Sequence, residues 1–371
     1  MSEFYIGLMS GTSLDGVDGV LAELEASSCR VLAHASAPLP ETLRTELLAL
    51  NQPGLNELHR AALAANALMQ VYAEVVQQLL STTHTPPRQV VAIGAHGQTV
   101  RHQPQNHGGS GYTLQLCNPA LLAELTGIDV VTDFRSRDVA AGGQGAPLVP
   151  VFHQAVFGRL GETTAVLNIG GMANLTVMGP ELGHDLMGFD CGPGNVLMDA
   201  WCQQQRGQAF DANGAWAASG QVHAGLQSNL LSEPYFALPA PKSTGRDLFN
   251  PAWLLAKLAT YPELAAQDIQ ATLAELTAST CADCANSYAK DSKSVWVCGG
   301  GAFNQHLMQR LQSLLPQFTV QSTTALGLPP LQVEAAAFAW LARKTVLREP
   351  LALQNITGAQ GPRIAGGIFP A

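Results

Sequence analysis

Apolar positions open the chain in short blocks separated by small polar turns. Phe4-Tyr5-Ile6-Gly7-Leu8-Met9 is an apolar run of buried-strand length, Val17-Asp18-Gly19-Val20-Leu21-Ala22 is a second, and Cys29 to Ser36 is a third. Between the first two lies Ser10-Gly11-Thr12-Ser13-Leu14-Asp15-Gly16, dense in glycine and hydroxyl residues, which predicts a hairpin turn. The period then changes to that of a helix over 41–50 and again over 55–80. Thr83-His84-Thr85-Pro86-Pro87 breaks the pattern, and Val90-Val91-Ala92-Ile93 is a buried strand running into Gly94-Ala95-His96-Gly97-Gln98-Thr99. Residues 103–111 read as a polar, glycine-rich surface loop. Ile128 to Val131 is a further strand, ending at Asp133-Phe134-Arg135, and a glycine-rich loop over 141–146 precedes a helix near 151–159.

The opening pattern then recurs. Thr164 to Ile169 is a strand, Gly170-Gly171-Met172-Ala173-Asn174 a turn, and Leu175 to Met178 a strand. Two strand–glycine turn–strand units about 160 residues apart predict an internal duplication of one α/β core. Two such cores facing each other would set their hairpins on either side of a cleft wide enough for a phosphate chain. A third cluster, Cys298-Gly299-Gly300-Gly301-Ala302, follows the strand Ser294 to Val297 and precedes a helix from Asn304, a geometry that favours negative charge at the helix start. A tight strand-to-helix connection without a ligand has the same pattern. Glu334 to Val346 reads as an Ala-rich amphipathic helix, and the tail from Gly358 as a short strand with turns. The expected division is 1–160 with 350–371 as an N-terminal domain and 161–349 as a C-terminal one.

Length and composition fit this picture. A chain of 371 residues suggests two domains, each with its own core, and 47% hydrophobic residues make it globular. The net charge is −9, and no Lys/Arg cluster occurs, which argues against a nucleic-acid or anionic-membrane surface. An anionic ligand would therefore be held by local N–H groups, a few basic side chains and a metal ion. The N-terminus lacks a signal-peptide pattern, and no apolar run reaches the ~18 residues of a membrane span. Seven irregularly spaced cysteines fit reduced thiols in a cytoplasm. Cys281-Ala282-Asp283-Cys284 lies in an Ala-rich, helix-like stretch with no second pair and no nearby His, so two core or boundary cysteines account for it better than a zinc or redox site.

The first hairpin offers a row of backbone N–H groups beside hydroxyls, a concavity for oxyanions such as phosphate. It is no Walker loop, because no Gly-Lys-Ser/Thr follows. Gly188-Phe189-Asp190-Cys191-Gly192-Pro193-Gly194-Asn195 carries one carboxylate on an expected loop at a strand end, where Gly192, Pro193 and Gly194 let backbone approach a ligand. Asp190 there suits a general base beside a phosphate site, or equally an Asx turn or helix cap. Asp15 and Asp18 could hold Mg²⁺ through water or merely stabilise the turn. His96 is either an ordered structural residue or a ligand contact. Lys242-Ser243-Thr244-Gly245-Arg246 is the densest basic spot in a polar loop, able to reach an anion or simply be solvated.

Taken together the motifs become specific. Met9 to Asp18, Gly94 to Thr99, Thr132 to Arg135, Asn168 to Asn174, Gly188 to Asn195, Pro241 to Arg246 and Gly299 to Asn304 resemble, in order and over nearly the whole chain, those of the anhydro-N-acetylmuramic acid kinases. That family lies within the sugar kinase, Hsp70 and actin superfamily. One departure is Leu116-Cys117-Asn118-Pro119, where the family pattern has Gly and Asp in place of Cys117 and Asn118. The resemblance implies an α/β fold of two duplicated actin-like ATPase (ribonuclease H-like) domains with mixed sheets around a central cleft. It implies ATP and Mg²⁺, a homodimer, and hydrolytic opening of 1,6-anhydro-N-acetylmuramic acid with phosphorylation of O6, in peptidoglycan recycling. By residue it implies Asp190 as base, and an ATP loop of Gly11, Thr12, Ser13, Leu14, Asp15, Gly16, Val17 and Asp18. Gly171, Gly192, Gly194 and Gly300 are expected at the nucleotide; Glu334, Arg135 and His96 at the sugar; Asp15 at the metal through water. Two other readings share the superfold: a conventional sugar or acid kinase, and an actin-like or chaperone-like ATPase that moves partners.

Overall fold

The structure is a computed structural model that describes residues 3–11, 14, 16–25, 28–104, 111–181 and 185–371. Its strands are, in chain order, β1 (Glu3–Met9), β2 (Gly16–Leu24), β3 (Cys29–Pro38), β4 (Val90–Ala95), β5 (Gln98–Gln103), β6 (Tyr112–Leu116), β7 (Val130–Thr132), β8 (Thr164–Ile169), β9 (Met172–Met178), β10 (Leu186–Pro193), β11 (Ser294–Cys298), β12 (Thr319–Ser322) and β13 (Gly367–Phe369). The chain divides into two compact units, Met1–Val156 with Leu331–Ala371, and Phe157–Pro330.

In the first unit the sheet order is β13-β7-β4-β1-β2-β3. β1, β2 and β3 form an antiparallel meander, while β4 and β7 continue from β1 in parallel. In the second unit the order is β10-β9-β8-β11-β12, again an antiparallel meander extended by two parallel strands. The duplication expected from the recurring glycine turns is thus present as one strand order in two mixed sheets. β13 is an addition to the first copy, paired antiparallel to β7.

Each sheet is buried by helices. Helix Glu57–Thr83 turns Leu68, Met69, Tyr72, Val75, Val76 and Leu79 inward, and this helical spacing covers one face of the first sheet. It packs so closely over β2 that a Cβ at Gly19 would strike Val75 Cγ1. Helix Val333–Val346 covers the other face, and here contact is backbone to backbone. A Cβ at Gly7 would run into Ala335 O, and one at Gly94 into Phe338 O. This helix therefore belongs to the first unit, and the second boundary falls at 330/331 rather than at 349/350. The amphipathic pattern of 334–346 gives its faces but not which sheet receives them; Gly7 and Gly94 decide that.

In the second unit helix Ala266–Tyr288 is the central element, with Leu273, Ala274, Leu276, Ala278 and Cys281 all buried in the core. Two further departures from expectation concern strands. Residues 188–193 are not a loop: β10 runs through them, because pairing with β9 overrides the low strand propensity of Gly188, Gly192 and Pro193. The segment after β4 forms a two-stranded ribbon, β5 with β6, whose Gln-Thr-Val-Arg-His-Gln sequence has too little apolar periodicity to announce a strand.

Candidate active site

The second unit carries the candidate base. Asp190 lies within β10, beside an irregularity in the ladder between Asp190 and Gly192 that re-aims the strand. Its side chain is nearly buried, at 9% exposure. Oδ2 accepts hydrogen bonds from Ser243 Oγ at 3.0 Å and Thr244 N at 2.9 Å. The backbone is pinned as well: Asp190 N donates to Lys242 O at 2.9 Å, and Tyr235 OH donates to Asp190 O at 2.7 Å. The carboxylate is thus tied to a segment more than fifty residues further along the chain. Burial of Tyr235, with the charge of Asp190 beside it, pushes that phenol well above its ordinary range, so it stays a donor.

The loop that holds Asp190 was legible only as a basic spot. Lys242 is half-buried and bonded to backbone. Its Nζ donates to Tyr235 O and Phe236 O at 3.3 and 3.2 Å and sits over the Tyr235 ring. Lys242 thereby fixes the loop, and the adjacent Ser243 and Thr244 do the positioning. The Ser-Thr pair was the sequence signal, overshadowed by the two charges that flank it.

Three glycine clusters distant in sequence meet in this unit. Gly194 N and Val196 N donate to Gly171 O at 2.9 and 3.2 Å, and Asn195 N donates to Gly170 O at 2.8 Å. Asn195 Nδ2 donates to Ile169 O at 3.2 Å. Gly299, at φ +77°, comes so close to Ile169 that a Cβ would lie 2.7 Å from its carbonyl oxygen. At Gly194 a Cβ would run into Gly170 O, so Gly194 and Gly299 are both required by packing against backbone. Gly170 and Gly300 differ: a Cβ there would meet nothing nearer than 3.7 and 3.6 Å. Bare backbone facing open space is what a close phosphate contact uses.

In the first unit β1 ends at Met9 and β2 starts at Gly16, so the expected hairpin is present. Thr12, Ser13 and Asp15 lie outside the described residues. Leu14 N donates to Gly11 O at 3.2 Å, and Gln98 Nε2 donates to the same carbonyl at 3.1 Å. Ser10 Oγ lies 3.0 Å from Tyr72 OH and donates to Gly97 O at 3.0 Å. The side chains of Leu14 and Val17 are buried in the core, so only their backbone could meet a ligand. Asp18 lies on β2 with Oδ1 3.1 Å from His34 Nε2.

His96 and Arg135 meet directly, with Arg135 Nη2 and Nε at 2.9 and 3.2 Å from His96 Nε2. Arg135 Nη1 donates to Gly145 O at 2.8 Å. Since Nε2 accepts, the proton of the neutral ring is assigned to Nδ1, which is buried. Glu334 opens helix Val333–Val346 and is half-buried. Arg135, His96 and Glu334 all belong to the first unit, whereas Asp190 belongs to the second. At the departure from the family pattern, Asn118 caps helix Pro119–Thr126, its Oδ1 accepting from Leu121 N at 3.2 Å, and Cys117 packs its Sγ 3.6 Å from Met69 Sδ.

Burial, with Arg135 adding to it for His96, pushes the His96 and His153 imidazoles down to about 3. In the unfolded chain both would titrate near ~6.5. Their stabilisation of the fold is therefore complete above pH 6.5 and is lost as pH falls toward 3, where the unfolded state binds protons that the native state refuses. Between pH 7.5 and 5.0 the loss amounts to about 2 kcal/mol for each ring. Urea unfolding at the two pH values should show a clearly lower midpoint at pH 5.0; coincident midpoints would contradict the buried neutral rings.

All seven cysteines are free thiols. Cys281 and Cys284 lie in helix Ala266–Tyr288; the contact with Cys281, together with burial, pushes the Cys191 thiol far up, and the contact with Cys191, together with burial, does the same to Cys284. Among the described residues no three His, Cys, Asp or Glu side chains are grouped to hold a metal ion. Mg²⁺ needs no such group, because it keeps several waters and takes few protein carboxylates beside phosphate oxygens. No helix among the described residues is long and apolar enough to cross a membrane.

Two copies of one mixed α/β core, each with glycine turns at its strand ends, define the actin-like ATPase class of fold. The family model for anhydro-N-acetylmuramic acid kinase matches residues 3–371. A protein of that name from Albidiferax ferrireducens is 64% identical, with 100% of both chains covered. Another from Variovorax paradoxus is 61% identical, covering 100% of this chain and 99% of that one. Among solved structures, the activator of the 2-hydroxyisocaproyl-CoA dehydratase from Clostridium difficile aligns at a TM-score of 0.48 and 12% identity, over 93% of this chain and 97% of that one. The chain belongs to the anhydro-N-acetylmuramic acid kinase family.

Proposed function

We propose that this kinase uses ATP and one water molecule to open 1,6-anhydro-N-acetylmuramic acid and to phosphorylate O6, giving N-acetylmuramic acid 6-phosphate for peptidoglycan recycling. The observation that carries the reading is a single carboxylate, Asp190, nearly buried and held at one oxygen by Ser243 and Thr244. Ordinary glycoside hydrolysis calls on two carboxyl groups, one to activate water and one to protonate the leaving oxygen. When O6 is captured by the γ-phosphorus instead, one base suffices.

Asp190 takes a proton from water as the water oxygen bonds to the anomeric carbon. The bond from that carbon to O6 breaks, O6 bonds to the γ-phosphorus, and ADP leaves. Backbone N–H groups of Gly11, Thr12 and Ser13, with Gly171 and Gly300, position the phosphates and bear their charge. Mg²⁺ would neutralise phosphate charge, and Asp15 would hold it through water. Arg135, His96 and Glu334 hold the sugar. The open backbone at Gly170 and Gly300 supports nucleotide binding in the second unit. The family resemblance supports a cytoplasmic homodimer, which sedimentation and cell fractionation test.

Reaction in ¹⁸O-water is expected to place label at the anomeric carbon and none in the transferred phosphate. Free N-acetylmuramic acid, already open, should be a poor substrate, and ring opening without ATP should be negligible. Label in the phosphate, or brisk phosphorylation of the open sugar, would favour a conventional kinase in which Asp190 deprotonates a substrate hydroxyl.

A further inference from the structure

Behind Arg135 lies a buried polar chain that the sequence motifs do not include. Asp138, in the short helix Ser136–Ala140, is 2% exposed, and Thr357, 219 residues away, is 3% exposed. Thr357 Oγ1 lies 2.8 Å from Asp138 Oδ1, its nearest acceptor. Asp138 Oδ2 accepts from Gly145 N at 2.7 Å, and Asp138 O accepts from Gly143 N at 2.9 Å. The backbone of the same segment is stitched in, with Gln144 N donating to Thr357 O at 2.8 Å and Gln360 N to Ala141 O at 2.9 Å. The turn over 142–145 is thus wrapped around one carboxylate. A Cβ at Gly143 would run into Asp138 Oδ2, so the fit leaves no slack.

That turn ends on Gly145, whose N–H is held by Asp138 and whose C=O receives Arg135 Nη1 at 2.8 Å. The opposite edge of the same guanidinium rests on His96 Nε2. A long flexible side chain is therefore fixed at both edges, and one of the two anchors is set by Asp138. Such fixing lowers the rotamer entropy lost when a ligand binds. A carboxylate buried to this degree is costly unless it is fully hydrogen-bonded, so its place here asks for a purpose.

We propose that Asp138, braced by Thr357, is a positioning residue for the sugar site: it sets the Gly145 carbonyl that, with His96 Nε2, holds Arg135 in its binding rotamer. This rests on the reading of Arg135 and His96 as sugar contacts. Asp138 itself touches no substrate. Its removal acts through Arg135, on sugar binding and not on the nucleotide.

The test compares Asp138→Asn, Thr357→Val and Thr357→Ser in the full-length enzyme. In Asp138→Asn an N–H₂ can replace an acceptor, opposing Gly145 N–H or Thr357. KM for the anhydro sugar should rise about 10-fold or more, as for a lost hydrogen bond to a charged group, with KM for ATP within about twofold. Thr357→Val keeps the shape and loses the hydroxyl, so its shift should be in the same direction and smaller; Thr357→Ser should restore it. In the free enzyme the ¹⁵N signals of the His96 ring should report a loosened Arg135 in Asp138→Asn and Thr357→Val. A lowered unfolding midpoint with both KM values and the His96 signals unchanged would make Asp138 purely structural and overturn the proposal. If Asp138→Asn fails to fold, the Thr357 pair decides. If the wild-type enzyme ignores the anhydro sugar, the functional reading fails, while the His96 signals still decide whether Asp138 sets Arg135.

Discussion

Asp190→Asn is expected to lower kcat by at least the ~10²–10⁴-fold typical of lost acid–base catalysis, while ATP binding stays nearly intact. The amide can still turn its oxygen toward the two donors that hold Oδ2, Ser243 Oγ and Thr244 N. The backbone bonds to Lys242 O and from Tyr235 OH do not involve the side chain, so the strand keeps its place. What is lost is the ability to accept a proton from water. The loss should fall on kcat and on kcat/KM alike, the mark of an interaction made in the transition state. Steady-state kinetics with calorimetry of ATP binding checks this, and near-normal turnover by a pure, folded variant would remove Asp190 from the role of base.

Gly94→Ala and Gly7→Ala are expected to destabilise the first unit by more than the ~1–3 kcal/mol of ordinary overpacking. The reason lies in what each new methyl would strike. At Gly94 it is Phe338 O, with Phe338 C at 2.7 Å and Ala342 Cβ at 3.1 Å. At Gly7 it is Ala335 O, with Ala339 N at 2.6 Å and Ala335 C at 2.9 Å. A side chain can swing aside, but helix backbone cannot without moving helix Val333–Val346 off the sheet. That shift would expose apolar residues now buried, among them Phe338 at 1% exposure. Against a total stability of ~5–15 kcal/mol such a change is large. Denaturant unfolding should show midpoints far below wild type, or little folded protein. Gly170→Ala, with its nearest obstacle at 3.7 Å, is the control and should unfold near wild type. Wild-type midpoints for Gly7→Ala and Gly94→Ala would mean that the helix is not seated as described.

Both predictions turn on residues whose importance showed in the sequence to different degrees. Asp190 stood out because glycines flank it, but the same spacing also suits a turn or a cap. Its partners Ser243 and Thr244 lie more than fifty residues on and reach the carboxylate only when the loop docks. Gly7 and Gly94 were legible merely as small residues within apolar strands. Arg135 and His96 belonged to separate motifs, and nothing along the chain says that they share a hydrogen bond.

Local chemistry is what the sequence by itself determined. Apolar runs of strand length, helical periods at 41–50, 55–80 and 334–346, and glycine-rich turns at strand ends are properties of neighbouring residues, and they announced the meander, its repetition and the family motifs. Partner choice was decided by the tertiary structure. Which sheet receives the 333–346 helix, that 188–193 is strand and not loop, that Lys242 braces backbone, and that Asp138 meets Thr357 each depend on residues far apart in sequence. Such contacts form only once the sheets have assembled, and burial then makes every polar group among them find a partner or cost stability.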